Sequence, residues 1–396
     1  MNLEQIKAMD QAYYMNTFGE RIPVCFTHGS GLELYSTDGK KYLDFFAGIA
    51  VSGLGHSHPK FTQAICEQMK KVVHTSSLYY IENQAALARE LANRSCADKI
   101  FFANTGAEAN EGALKLAKMY FYKQNKPRYK FVTLENSFHG RTLATVAATG
   151  QKKYQEPYKP LMPEFVHVPV NDCNALKDAM DEETCGLILE VIQGESGVQP
   201  LNTEFLSTAK KLCEKTGALL IIDEVQTGMG RTGTLFAYQG CGIEPDIFTL
   251  AKALGNGIPI GAVCAKDFVA KAFEPGDHGT TFGGNPLATC AGMAVFNIFD
   301  EENLVENAKN MGAYFLQKIN DLKSPKVQEV RGRGLMIGIE FKEEIAKDVN
   351  KSLFEAGYLA GAVGTKILRL LPPLIVNKEQ IDEFINVLGK IIGGEL

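Results

Sequence analysis

The run Ala218-Leu219-Leu220-Ile221-Ile222-Asp223 is apolar along almost its whole length and ends in an acid. A strand that does not alternate between apolar and polar residues is buried on both faces, which is typical of a parallel sheet covered by helices. Similar short apolar runs occur elsewhere, and amphipathic helical segments separate them. The further candidate strands are 99–103, 130–133, 186–191, 246–250 and 259–264, and the clearest helices are 107–123 and 203–216. This alternation predicts an α/β fold on a mostly parallel sheet.

The two ends of the chain have a different pattern. Residues 33–46 predict a hairpin that turns at Asp38-Gly39. From about residue 287 we predict a long helix, then a glycine-rich strand at 333–340 and a last helix at 378–392. We therefore predict a large α/β domain and a smaller α+β domain made from both termini. The predicted segments are 1–46 in the small domain, 47–286 as the large domain and 287–396 completing the small domain.

Composition narrows the class of protein. The chain has 396 residues, of which 45% are hydrophobic and 22% charged, as expected of a large soluble globular protein. The net charge is −5 and there is no basic stripe, so nucleic acid is not an expected partner. No apolar run approaches the ~18 residues that cross a bilayer, and no export signal is visible, so we expect a cytoplasmic protein.

The cysteines and histidines of the sequence predict neither disulfide bonds nor a metal site. The nine cysteines are scattered, odd in number and never spaced C-x-x-C, so they are expected to be reduced thiols. The segment His56-Ser57-His58 has neither a cysteine nor a carboxylate nearby. We therefore predict no metal site.

Lys252 lies among apolar neighbours in the segment Thr249–Gly257, directly after a candidate strand. Moving an ammonium group out of water costs several kcal/mol. A lysine in such a place either snorkels back to solvent or loses its charge, most often by forming an imine with an aldehyde. For the tripeptide Ala251-Lys252-Ala253 taken alone, snorkelling is the commoner case. The residues that follow the other strands decide between the two readings.

Several of those residues fit a flat, phosphorylated ligand at the carboxyl ends of the strands. Asp223 needs a cationic partner such as a protonated ring nitrogen, and Gln226 can bond a ring hydroxyl. Thr105-Gly106-Ala107 opens a helix and so presents N–H groups to a phosphate. Phe138 can stack on a ring. Each also has a plain structural reading, as a helix cap, a strand-end turn or a core residue.

Two arginines are suited to binding carboxylates. Arg141 follows a glycine near a helix start, and Arg369 lies in an apolar strand where it needs an anion. Glu195 is a second acid beyond a strand end, and Thr280 and Thr281 offer hydroxyls in a glycine-rich loop. Together with the lysine, the acid, the aromatic ring and the phosphate turn, these residues predict a pyridoxal phosphate site. Once substrate releases it, the lysine amine would serve as the base.

From about residue 13 onward the chain resembles the class III (ω-amino) aminotransferases, which belong to the fold type I pyridoxal phosphate enzymes. The motifs that carry the resemblance are 101–111, 138–142, 223–228, 251–255 and 280–286, and Asp223 and Lys252 are 29 residues apart, as in that family. The resemblance implies a seven-stranded sheet, pyridoxal 5'-phosphate as cofactor and a homodimer with shared active sites. Thr281 would reach the phosphate in the other subunit, and Thr280 would contact substrate.

The sequence departs from the family pattern at four positions without losing a catalytic group. Val191 stands where proline is usual, Ser196 and Asn256 where glycine is common, and Thr105 where serine is more usual. The first two leave both acids of their loop in place. The substitution at position 105 keeps the hydroxyl.

Within the family, the likeness is strongest to members that act on N-acetylated ornithine. It implies transfer of the δ-amine of N2-acetyl-L-ornithine to 2-oxoglutarate, giving N-acetylglutamate 5-semialdehyde and glutamate, a step of arginine biosynthesis. Only glutamate carries a carboxylate beside its reacting amine, so Glu195 would pair with Arg369 in the first half-reaction and release it in the second. Arg141 would bind the distal carboxylate in both.

Three alternatives remain open from the sequence. The first is another ω-amino donor, namely succinylornithine, ornithine, succinyl-diaminopimelate or 4-aminobutyrate. The second is an aminomutase or a racemase on the same fold, although the second arginine favours a reaction in which glutamate takes part. The third is a binding protein without cofactor, which the complete set of chemical residues argues against.

Overall fold

The computed structural model describes residues 1–394 and has the predicted α/β architecture, with seventeen strands, fourteen α-helical segments and three short 3₁₀ segments. The strands are β1 Phe26–Ser30, β2 Glu33–Ser36, β3 Lys41–Asp44, β4 Lys99–Ala103, β5 Lys130–Leu134, β6 Phe165–Val168, β7 Thr184–Leu189, β8 Ile192–Gln193, β9 Gln199–Pro200, β10 Leu219–Asp223, β11 Ile247–Leu250, β12 Gly261–Ala265, β13 Val327–Arg333, β14 Met336–Phe341, β15 Tyr358–Leu359, β16 Gly361–Val363 and β17 Ile367–Leu370. The helices are α1 Leu3–Tyr13, α2 Ala47–Ala50, α3 Pro59–Met69, α4 Glu82–Arg94, α5 Gly106–Lys123, α6 Leu143–Ala148, α7 Lys152–Gln155, α8 Cys173–Ala179, α9 Thr203–Thr216, α10 Asp267–Ala270, α11 Pro286–Glu301, α12 Leu304–Asp321, α13 Ala346–Glu355 and α14 Lys378–Gly393.

The central sheet has seven strands in the order β4-β12-β11-β10-β7-β5-β6, and only β12 runs antiparallel to its neighbours. The mostly parallel sheet is therefore confirmed. Strand β6 had no counterpart among the apolar runs found in the sequence. It is one of the two edge strands, and its side chains are mostly half-buried or exposed, so it lacks the continuous apolar pattern of a central strand.

The central strand β10 explains why the sequence is apolar without alternation. Leu219 and Ile221 pack into a core cluster on one face of the sheet, which also contains the apolar face of α5. Leu220 and Ile222 pack into the larger cluster on the opposite face, together with residues of α9. Successive side chains of a strand point to opposite faces, so a strand covered on both sides needs apolar residues at every position.

Smaller sheets are built from the ends of the chain. The predicted hairpin forms, because β2 pairs antiparallel with β3, and β3 in turn pairs with β15 from near the C terminus. The glycine-rich strand predicted at 333–340 is wrong as a single element. It is the turn and second strand of a hairpin, since β13 ends at Arg333 and β14 begins at Met336. Gly334 makes the turn with a φ of 54°, a value that glycine adopts without strain. The three segment boundaries stay a prediction.

Segment α2 is a left-handed turn and not a right-handed helix, because Ala47, Gly48, Ile49 and Ala50 have φ between 50° and 66°. This conformation costs roughly 1–2 kcal/mol for each residue with a Cβ. Asp44 holds the entrance of the turn, since its Oδ1 accepts the backbone N–H groups of residues 46 and 47 at 2.9 and 2.8 Å.

The two histidines of the segment 56–58 each face a carboxylate. His56 Nε2 lies 2.8 Å from Asp44 Oδ2, and His58 Nε2 lies 3.1 Å from Glu302 Oε1. Within residues 1–394, no cluster of three or more His, Cys, Asp or Glu side chains is arranged to hold a metal ion. Over the same residues, no helix is both long enough and apolar enough to span a membrane.

Candidate active site

A cavity of about 450 Å³ lies at the carboxyl ends of the central strands. The loops after β4, β5, β7, β10 and β11 all contribute to it, because the carboxyl ends of these strands meet at one edge of the sheet. Most of the residues predicted from the sequence line this cavity. They are Thr105, Gly106, Ala107, Phe138, Arg141, Glu195, Asp223, Gln226 and Lys252.

Lys252 faces the cavity and not the outer surface of the protein. It follows β11 after one residue and has a φ of 48°, a conformation that side chains with a Cβ rarely adopt. Its apolar surroundings lower the pKa of the amine, although the charges of Glu195 and Asp223 act in the opposite direction. Backbone strain of this kind is kept where the surrounding structure enforces it, often at functional sites. The amine is thus directed into the cavity, and the chemical role of Lys252 stays a prediction.

Asp223 is the last residue of β10 and is held by three hydrogen bonds. Its Oδ2 accepts from Asn110 Nδ2 at 2.8 Å and lies 2.8 Å from His139 Nδ1. Its Oδ1 accepts the backbone N–H of Val225 at 3.0 Å. Asp223 therefore also stabilises the turn at the end of its strand, which was the structural alternative to a role in the site. The carboxylate is only 4% exposed. A buried carboxylate held from several sides can present a fixed charge to a cation in the cavity.

Asn110 and His139 complete a network below Asp223. Asn110 Nδ2 also donates to the backbone oxygen of His139 at 2.7 Å, and its Oδ1 accepts from Thr249 Oγ1 at 2.7 Å. Neither His139 nor Asn110 was predicted from the sequence to have a role in the site. A signal was available for Asn110, because it is a polar residue on a helix face otherwise made of Ala109, Ala113 and similar apolar side chains.

The N terminus of α5 forms the predicted phosphate turn. Thr105 Oγ1 accepts the backbone N–H of Glu108 at 3.1 Å, so Thr105 does cap the helix. The N–H groups of Gly106 and Ala107 belong to the first turn, which has no intrahelical acceptor for them. A Cβ on Gly106 would lie 2.8 Å from Val225 Cγ1, so glycine permits the close approach of this turn to the loop after β10.

Phe138 and Arg141 lie on the wall of the cavity next to Tyr154. The guanidinium carbon of Arg141 is 3.7 Å from the centre of the Tyr154 ring and 5.4 Å from that of Phe138. Cation–π contacts of this length orient an arginine without neutralising it. Arg141 is exposed and lines the cavity, so its donors remain available to an anion. Tyr154 was not found from the sequence.

Arg369 is closed off from the cavity by Glu195. Its Nη1 lies 2.6 Å from Glu195 Oε1 and 2.9 Å from the backbone oxygen of Gly194. The side chain of Arg369 is 4% exposed, and its Nε has no partner among the described residues. Burial is the largest single influence on Glu195 and raises its pKa, but the charge and hydrogen bond of Arg369, together with the charge of Lys252 and a hydrogen bond from Gln226, lower the pKa overall. The pair is therefore ionised.

Glu190 is a further buried acid that the sequence analysis did not place in the site. It accepts the backbone N–H of Phe138 at 2.9 Å and that of Gly194 at 3.2 Å. Burial raises its pKa to about 7. It thus links the loop that carries Phe138 to the loop that carries Glu195.

The two threonines predicted in the site do not line the cavity of their own chain. Thr280 Oγ1 accepts from Asn104 Nδ2 at 3.2 Å, which places it beside the phosphate turn. Thr281 is exposed. Arg369 also lies behind the cavity wall, so the structure brings nine of the twelve predicted residues to the cavity itself.

The residues present fit pyridoxal phosphate. Gln226 Oε1 is buried and has no partner among the described residues, so a ring hydroxyl would satisfy it. The first turn of α5 can bind the phosphate, Asp223 can pair with a protonated ring nitrogen, and the Lys252 amine can bond to the aldehyde. The fold and the site together define a pyridoxal phosphate-dependent transferase.

Comparisons with known proteins give the family. The family model described as Aminotransferase class-III matches residues 14–392. The chain belongs to the class-III aminotransferases and is a pyridoxal phosphate-dependent aminotransferase. It is 47% identical over 394 residues to the acetylornithine aminotransferase of Methanothermobacter thermautotrophicus, covering 99% of each protein.

Solved structures with the same fold include two aminotransferases. The acetylornithine aminotransferase of Elizabethkingia anophelis is 32% identical, with full coverage of both chains and a TM-score of 0.89. The ornithine aminotransferase of Toxoplasma gondii, in whose structure pyridoxal phosphate partly occupies the active site, is 31% identical with a TM-score of 0.93. That match covers 98% of this chain and 94% of the other.

Proposed function

We propose that this protein transfers the δ-amine of N2-acetyl-L-ornithine to 2-oxoglutarate, giving N-acetylglutamate 5-semialdehyde and glutamate in arginine biosynthesis. The observation that carries the proposal is the asymmetry of the two arginines. Arg141 is open to the cavity, whereas Arg369 is paired with Glu195. A site with one free arginine suits a donor that has a distal carboxylate but none beside its reacting amine. The name of the relative from Methanothermobacter thermautotrophicus also supports this donor.

We propose the following roles around the cofactor. Pyridoxal phosphate, when bound, supplies an aldehyde and an electron-withdrawing ring. Lys252 would hold it covalently, Asp223 would pair with the ring nitrogen, Gln226 would bond the ring hydroxyl and Phe138 would stack on the ring. Thr105, Gly106 and Ala107 bind the phosphate. The catalytic residues are Lys252 and Asp223, because both touch the reacting system.

Lys252 then acts as the base. Once the donor amine has displaced Lys252, its Nζ can accept the proton from the carbon that carries the reacting nitrogen. The same Nζ can then donate that proton to the cofactor. Burial lowers the pKa of this amine, so a larger neutral fraction is available near neutral pH than for an exposed lysine. Asp223 is held by Asn110 and His139, and its carboxylate would favour a protonated ring nitrogen.

The gate between Glu195 and Arg369 lets one site serve two substrates. With the acetylated donor, the pair stays closed and leaves no buried charge without a partner. With glutamate or 2-oxoglutarate, the substrate carboxylate replaces Glu195 on Arg369, while Arg141 holds the distal carboxylate both times. Thr280 would contact the substrate.

Single-turnover kinetics test this proposal. Each candidate amine is mixed with the holoenzyme, and the change in cofactor absorbance gives the rate of the first half-reaction; acetylornithine should be converted most efficiently. Borohydride reduction should fix the cofactor mass on the peptide containing Lys252, and Lys252→Ala should carry none. Glu195→Gln should slow the acetylornithine half-reaction and leave the 2-oxoglutarate half-reaction equal or faster. If neither half-reaction changes in Glu195→Gln, the gate is wrong.

Ornithine is the second candidate donor, because an ornithine aminotransferase is among the solved structures with high fold similarity. The same panel of amines separates the two. A reaction that recycles the amino group without 2-oxoglutarate would instead identify an aminomutase.

We further propose a homodimer with shared active sites, working in the cytoplasm. Support for the dimer comes from exposed apolar side chains such as Leu78, Tyr80 and Phe282, and from Thr281, which is absent from the cavity of its own chain. All nine cysteines are free, which fits a reducing compartment. Light scattering gives the oligomeric state. Mixing the variants Lys252→Ala and Thr281→Asp should restore activity, because a mixed dimer contains one site with neither defect.

A further inference from the structure

A second, polar cleft lies behind the gate residue. Its volume is about 540 Å³, and Glu195 lines both this cleft and the active-site cavity. Its other polar lining residues include Asn136, Gln151, Lys153, Gln193 and Ser196. Glu195 therefore stands on the wall between two spaces, and Arg369 holds it on the side of the active site.

The gate needs a place for the displaced carboxylate. When a substrate carboxylate takes Arg369, Glu195 cannot stay beside it, because two like charges in a poorly solvated site repel strongly. It also cannot move further into the active-site cavity, which the substrate then fills. A carboxylate that leaves an ion pair needs another cation, or several hydrogen-bond donors. The second cleft is the polar space that Glu195 already borders.

We propose that the second cleft receives the Glu195 carboxylate when the gate opens, and that Lys153 stabilises it there. The proposal rests on the function proposed above. Among the described residues that line the cleft, Lys153 is the one cation. Its Nζ lies 4.7 Å from the centre of the Tyr154 ring, and Lys153 is an exposed residue that forms no ion pair among the described residues, so its charge is available. Lys153 is thus a positioning residue for the second half-reaction.

Ser196 favours motion of the Glu195 side chain over motion of the loop. Its Oγ donates to Gln193 Oε1 at 3.0 Å. A serine restricts the backbone more than a glycine does, and this bond ties the loop to β8. The gate would then open by rotation about the Glu195 side-chain bonds, into the cleft that Ser196 and Gln193 also line.

The test compares two ligands of equal length on the holoenzyme. Glutarate has two carboxylates and must open the gate, whereas valerate has one and can use Arg141 alone; neither has an amine or a ketone, so neither reacts. Binding is measured by calorimetry. Lys153→Ala should weaken glutarate binding about threefold to fivefold, the size expected for a partly exposed ion pair, and leave valerate unchanged. Lys152→Ala, a neighbouring exposed lysine that does not line the cleft, should change neither.

Two further measurements complete the test. In a Glu195→Gln background, Lys153→Ala should no longer affect glutarate, because there is no charge to receive. A crystal structure with glutarate should show the Glu195 carboxylate in the second cleft within ion-pair distance of Lys153. The proposal is overturned if glutarate binds equally well to Lys153→Ala, or if Glu195 moves to bulk solvent. If glutarate binding does not depend on Arg369 at all, the gate of the proposed function fails, and the Lys153 proposal fails with it. If glutarate binding depends on Arg369 but not on Lys153, only the Lys153 proposal fails.

Discussion

Asn110→Leu should destabilise the protein and weaken cofactor binding, although residue 110 does not bind the cofactor in our assignment. Asn110 is 1% exposed and makes three hydrogen bonds, to Asp223, to the backbone oxygen of His139 and from Thr249. Leucine has a similar volume, so the change removes the hydrogen bonds without creating a large cavity. Three buried polar groups would each lose a partner.

The size of the effect follows from these bonds. Each of the two neutral bonds contributes about 1 kcal/mol, and the bond to the charged carboxylate of Asp223 about 1.5–3 kcal/mol, so we expect a loss of about 3.5–5 kcal/mol in the free energy of unfolding. Asp223 also becomes less firmly held opposite the ring nitrogen. We expect the dissociation constant of pyridoxal phosphate to rise about tenfold, which corresponds to about 1.4 kcal/mol.

Urea unfolding of the apoprotein at fixed protein concentration measures the first effect, and titration of the apoprotein with cofactor measures the second. Thr249→Val is the matched control, because it removes only the outermost bond of the network and keeps the shape. It should cost about 1 kcal/mol and leave cofactor affinity nearly unchanged. An Asn110→Leu protein that is as stable as Thr249→Val and binds cofactor normally would refute the assigned network.

Three other outcomes are expected. Tyr154→Ala should raise KM for carboxylate substrates about threefold, whereas Tyr154→Phe should not, because a ring 3.7 Å from Arg141 holds that arginine in place. Gly261→Ala should weaken cofactor binding at least tenfold in a titration, since the new Cβ would lie 2.4 Å from the backbone oxygen of Thr105 and displace the phosphate turn. Burial raises the pKa of Glu224 from its ordinary 4.5 to about 7, so the folded state binds the extra proton, and stability falls as pH rises from about 4.5 to 7. Glu224→Gln should remove about 3 kcal/mol of that fall in unfolding experiments across this range.

Much of the central architecture was readable from local pattern. Strands buried on both faces must be apolar at every position, and β10 and β11 were found for that reason. Edge strand β6 was not predicted from the sequence, because one of its faces is partly open to solvent and its composition is mixed. The turn at Gly334 and Leu335 and the strand β14 were predicted together as one strand at 333–340, and β13 was not predicted, because such a turn is hard to separate from a glycine-bearing strand without its partner.

The sequence by itself determined which chemical groups this protein has and roughly where each sits. Acids, a lysine and a glycine-containing turn follow apolar runs, and parallel strands bring their carboxyl ends to one edge, so Asp223 and Lys252 had to lie near each other. These are consequences of local pattern and of one general rule of topology.

Only the tertiary structure decided which side chains touch. Asn110 meets Asp223 across 113 residues of chain, and Glu195 meets Arg369 across 174, and no local periodicity encodes such contacts. Hydrogen bonds and ion pairs depend on distances of a few tenths of an ångström. These distances are fixed by the packing of the whole sheet and its helices, and the polar cleft behind Glu195 exists only in that packed arrangement.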